Sequence, residues 1–159
     1  MKKLNLIIMS LLLLLTLNGC NFQNPKYINF SAKPSNHYYT DELKNKILNN
    51  QNFTLFVFDT NLYKEIEVPN EQNSIIENFI SSLVNDNYSN EKIDIKEPYR
   101  LKIVFNDDKY LIKIFNNSIV SISPWDGNYG EDVISIKELP LRYNLFDFCN
   151  HIANKPLSK

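Results

Sequence analysis

The stretch from Tyr99 to Ile136 constrains the fold most, because its apolar residues recur at every second position in short runs divided by polar turns. Leu101-Lys102-Ile103-Val104-Phe105 is followed by Asn106-Asp107-Asp108-Lys109 and then by Tyr110 to Phe115. A period of two is that of a strand with one face on a core. Connections this short join antiparallel neighbours only, since a parallel pair needs a long crossover. Asn116-Asn117 makes the next reversal, Asn being the non-glycine residue best suited to the positive φ angles of tight hairpin turns. Ser118-Ile119-Val120-Ser121-Ile122 returns, and Val133-Ile134-Ser135-Ile136 adds a strand after a loop. An antiparallel meander is expected.

The first half supplies the layer that covers it. Thr40-Asp41-Glu42 opens a short helix, with Thr40 as its cap and two acids near the positive end of its dipole. Phe53 to Phe58 is apolar on both alternating faces apart from Thr54, which places it centrally in a sheet, and Tyr63 to Val68 alternates until Pro69 stops it. Asn70 caps a helix from Glu71 to about Asn85, with Ile75, Ile76, Phe79, Ile80, Leu83 and Val84 in one stripe. Ile93-Asp94-Ile95 is a brief strand in a polar stretch. Pro140 opens the last helix, with Leu141, Leu145, Phe148, Cys149 and Ile152 along one face. The order predicts an α+β fold: a single antiparallel sheet of about five to six strands with two or three helices packed on one face.

Chemistry concentrates in one segment. Beyond Gly19 the chain has only Gly127 and Gly130, and both fall in residues 123–132 with its single tryptophan. Trp125 and Tyr129 can stack on a sugar ring or clamp a partner, while Asp126, Glu131 and Asp132 accept hydrogen bonds. The alternative is a long turn whose Trp packs on the sheet edge and whose glycines supply turn angles. A calcium reading of Asp126, Asn128, Glu131 and Asp132 lacks the alternating acids and distal Glu of an EF-hand. Cys149 and His151, two residues apart on a helix, point to opposite sides, so they do not form a nucleophile and base. Cys149 lies on the apolar stripe, and His151 near the helix C-terminus can pair with Asp147. With two histidines and one spare cysteine, no metal site, catalytic residue or cofactor is assigned. The expected role is a non-enzymatic binding or interaction domain for a protein or cell-envelope partner. A small envelope hydrolase working through carboxylates is the alternative, and two-lobed solute receptors need a longer chain.

Lys2 and Lys3, an apolar run to Leu15 and a small residue before Cys20 form the parts of a secretory signal. The run stops short of the roughly 20 apolar residues that span a bilayer. Leu17-Asn18-Gly19-Cys20 resembles the lipobox of bacterial lipoproteins. That resemblance implies a diacylglycerol, palmitate-type anchor on the Cys20 thiol and cleavage before it. Residues 1–19 are then a signal peptide, 20–36 a lipid-anchored linker interrupted by Pro25 and Pro34, 37–155 one domain and 156–159 a tail. The membrane is a partner through the anchor, and the domain sits at the extracytoplasmic face of the cell membrane. Cys149 is left alone, so the fold rests on packing without an intrachain disulfide.

Loss of residues 1–19 removes Lys2 and Lys3 and leaves 140 residues with a net charge of −3. No basic face is in view, which argues against nucleic acid as a partner. The bias towards Asn, Lys and Ile, the strand-rich second half and Pro124-Trp125-Asp126-Gly127 resemble small uncharacterised lipoproteins of clostridial-type Gram-positive bacteria. That likeness brings no catalytic residues with it.

Overall fold

Alternation of apolar and polar residues produces one antiparallel sheet in the computed structural model, which describes residues 32–49 and 51–155. The strands are β1 (Thr54–Asp59), β2 (Lys64–Glu67), β3 (Tyr88–Ser89), β4 (Tyr99–Val104), β5 (Lys109–Ile114), β6 (Ile119–Pro124) and β7 (Asp132–Ser135). They lie side by side in the order β2-β1-β4-β5-β6-β7-β3. The expected meander is present as β4 to β7. The strand count exceeds the expected five to six because Tyr88–Ser89 adds a short edge strand against β7. The signal segment, Cys20, the linker as far as residue 31 and the tail 156–159 lie outside the described residues.

Register puts the core on one face. Val57, Leu101, Ile112, Ile122 and Asp132 follow one another in a single cross-strand row. Leu55, Ile103 and Tyr110 form the next row, and all of these residues are buried. Three helices cover that face: α1 (Tyr38–Leu48), α2 (Ser74–Ser82) and α3 (Leu145–Asn154). They contribute Leu43, then Ile76, Phe79 and Ile80, then Leu145, Cys149 and Ile152 to the core. Truncating one such aliphatic residue to Ala costs about 2–5 kcal/mol.

Several boundaries differ from expectation for local reasons. The first helix begins at Tyr38, so Thr40 lies within its first turn instead of capping it. The second ends at Ser82, where the Ser82 hydroxyl donates to Phe79 O at 2.7 Å and Leu83 is already extended. Val84 therefore leaves the stripe and is 61% exposed. Pro140 introduces a 3-10 turn, Leu141–Tyr143, and Leu141 is 84% exposed. The last helix starts after it, with Asn144 Oδ1 accepting from Phe146 N at 2.9 Å and Asp147 N at 3.3 Å.

Strand β1 is second from an edge, not central, and only its inward side is fully covered. Outward, Phe56 is half-buried beneath the Lys102 ammonium, 4.5 Å from the ring centroid. Ile93-Asp94-Ile95 forms no strand. Residues 90–98 instead return from the β3 edge to β4, and the Thr60 hydroxyl pins their end by donating to Glu97 O at 2.6 Å.

Candidate functional site

The loop from β6 to β7 carries Trp125, Asp126, Tyr129, Glu131 and Asp132, and the fold sends these side chains in different directions. Asp132 opens β7 in the inward row and is 0% exposed. A carboxylate in such a place is tolerated only when hydrogen-bonded and paired. Its Oδ2 accepts from Thr40 N at 2.6 Å and from the Thr40 hydroxyl at 2.8 Å, and its Oδ1 is ion-paired with the Lys33 ammonium. The first turn of a helix has backbone N–H groups without partners. His37, at the N-cap of α1, caps none of them with its side chain, and its Nδ1 lies 2.6 Å from Asp41 Oδ2 instead. The β7 carboxylate thus supplies the cap, at the positive end of the helix dipole, from 92 residues away.

Tyr129 extends the same joint. Its backbone N–H donates to the Tyr39 hydroxyl at 2.7 Å, and its ring meets Tyr38 edge-on at 5.6 Å. Burial, the largest cause, raises the Tyr39 hydroxyl above its ordinary 10.0, so it stays protonated across the physiological range. Gly127 makes this approach possible. A Cβ there would lie 2.8 Å from the Tyr39 hydroxyl and 2.9 Å from Pro124 Cγ, whereas one on Gly130 would meet nothing.

Glu131 faces the opposite side of the sheet, as strand geometry requires of the neighbour of Asp132. It pairs with Lys113 and accepts from the Ser121 hydroxyl. The descending limb is therefore held from both faces. Two oxygen donors of the calcium reading diverge and are already engaged. Trp125 stands apart, 65% exposed, with its backbone N–H fixed to Lys109 O at 2.9 Å. Asp126 is exposed beside it. The loop thus presents an aromatic ring and a carboxylate on a base held by its own hydrogen bonds.

A second arrangement was not visible in the sequence. A trough of about 710 Å³ on the outer face is lined by Ile93 and Ile95 of the crossover together with Glu97, Lys113, Glu131 and Val133. Burial opposes ionisation of Glu97, but its own backbone N–H and the Arg100 guanidinium outweigh that and hold the carboxyl below its ordinary 4.5. Two acids of the trough have a cation: Arg100 for Glu97 and Lys113 for Glu131. Lys113 and Ser121 are cross-strand partners, a relation that only the register reveals.

Cys149 is fully buried, and burial alone pushes its thiol far up. His151 is exposed in the last turn of α3. Among the described residues no helix is long and apolar enough to cross a membrane.

Comparison with known proteins adds two similarities. The family described as a domain of unknown function, DUF4883, matches residues 33–149. The crystal structure of a protein described as a candidate lipoprotein from Clostridium perfringens is similar at a TM-score of 0.72 and 34% identity. The match covers 78% of this chain and 100% of that one. No curated protein matches.

Proposed function

The chain belongs to the DUF4883 family, and we propose that it is a lipoprotein held at the extracytoplasmic face of the membrane through Cys20, and that its domain binds an envelope component or protein through the loop between β6 and β7 without catalysing a reaction. The anchor reading draws on Leu17-Asn18-Gly19-Cys20 and on the likeness to the clostridial candidate lipoprotein. The observation that carries the binding reading is Trp125, a large ring left 65% exposed on a loop clamped at its base. Exposed aromatic residues on a fixed frame supply contact area at low cost in conformational entropy.

Co-sedimentation of the full chain with purified, lipid-free host cell wall tests the loop, because without a membrane present the anchor cannot bring the protein down. Trp125→Ala should weaken it about tenfold, the loss of one aromatic hot spot. Leu141→Ala, at a residue 84% exposed elsewhere, should leave it unchanged. Equal sedimentation of parent and Trp125→Ala would remove the loop from the proposal.

A further inference from the structure

We infer that a cleft between the C-terminal end of α1, the polar side of α2 and the adjoining ends of β1 and β4 binds a neutral sugar chain bearing acetamido groups. The cleft holds about 900 Å³, within the usual range for small-ligand sites. It shares no residue with the loop between β6 and β7, so the inference stands independently of that reading.

The chemistry of the walls selects the ligand. Gln51, Asn52, Asn70, Asn73, Asn78 and Asn106 all line the cleft, and among the described residues no lysine or arginine does. Each of these amides offers two N–H donors and a carbonyl acceptor. Such a wall matches a ligand that carries donors and acceptors in comparable number and no charge. Among the described residues an anion finds no cation here, and a divalent metal finds only the single carboxylate of Glu77. An acetamido group is a secondary amide with one N–H donor and one C=O acceptor that point in opposite directions, so two neighbouring wall amides can meet it, one accepting and one donating. Phe53 and Ile47 add apolar surface for the C–H face of a pyranose ring.

The position of these amides follows from the helix. Ile76, Phe79 and Ile80 commit one side of α2 to the core. Glu77 and Ser81, one turn apart, and Asn78 beside them therefore face the cleft. The 3-10 turn Asn70–Gln72 leads into this helix and sets Asn70 and Asn73 at its mouth. Asn73 donates Nδ2 to Phe53 O at 3.0 Å, which fixes the amide, and its buried Oδ1 has no hydrogen-bond partner.

The test is a titration of the full chain, ¹⁵N-labelled in detergent micelles, followed through the side-chain amide signals. Chitotriose should shift Gln51, Asn78 and Asn106 saturably, and maltotriose, which lacks acetamido groups, should bind at least about fivefold more weakly. Combining Asn78→Ala with Asn106→Ala, both exposed positions, should weaken chitotriose about tenfold while the backbone spectrum is retained. Trp125→Ala should leave the titration unchanged, which separates this site from the loop. Four results would each overturn the inference: no shift at about 10 mM chitotriose, equal binding of maltotriose, tighter binding of tri-alanine, or full binding by the double variant.

Discussion

Replacing Asp132 with Ala should be the most damaging single polar change in the domain. The carboxylate is fully buried, and its removal strands the N–H and hydroxyl of Thr40, itself 1% exposed, and leaves Lys33 without its partner. Each buried group left unsatisfied costs about 1–3 kcal/mol. Lys33 keeps some exposure and can turn towards water, so its share is small. The two groups together give about 2–6 kcal/mol; the usual cost of breaking a buried charged pair, about 3–5 kcal/mol, lies inside that range and is a large part of a total stability of about 5–15 kcal/mol. For a domain of this size that corresponds to a fall in Tm of about 12–20 °C. Asp132→Asn keeps the shape and one acceptor oxygen, so it should lose roughly half as much. Thermal unfolding by circular dichroism, with a urea titration beside it, measures both. A loss below about 1 kcal/mol for Asp132→Ala would refute the clamp between β7 and α1.

Three further outcomes are expected. Gly127→Ala should destabilise by about 1–3 kcal/mol through overpacking against the Tyr39 hydroxyl, while Gly130→Ala, with open space around it, should stay within about 0.5 kcal/mol in the same melts. Glu97 has a folded pKa below its ordinary 4.5, so its stabilisation is complete above that pH and is lost as pH falls through the folded value. The gap in urea midpoint between parent and Glu97→Gln should accordingly be present near neutrality and close under acid; a gap that stays constant would contradict this. Iodoacetamide should leave Cys149 unmodified in the folded protein and alkylate it after unfolding, as peptide mass spectrometry reads, because the thiol is both enclosed and held protonated.

Elements set by periodicity were legible in the sequence. The alternation from Tyr99 to Ile136 yields β4 to β7, and Leu145, Cys149 and Ile152 form the buried side of the last helix. Features set by distant partners were not. Thr40 reads locally as a cap, yet it is capped by Asp132, and α2 stops at Ser82 although apolar residues continue to Val84. Residues 93–95 read as a short strand because Ile93 and Ile95 alternate, but the chain from 90 to 98 has to travel from the β3 edge back to β4.

The candidate loop shows the same division. Asp132 reads in the sequence as one of the loop's binding acids, and its burial is a departure from that reading; its shared phase with Ile134 and Ile136 is the signal that puts it on the buried face. Asp59, in phase with Leu55 and Val57, behaves likewise: it accepts from Asn61 N at 2.8 Å and Leu62 N at 3.0 Å to close the turn into β2. Glu97 and the amides around Asn73 carry no local pattern. Their neighbours come from other strands and helices, so only the folded chain brings them together.

Mass spectrometry of the protein from its native host tests the central claim most directly. The account predicts an amino-terminal peptide that begins at Cys20 and carries a diacylglycerol thioether. An unmodified peptide that runs through Gly19 and Cys20 without cleavage would contradict it and would take the extracytoplasmic assignment with it.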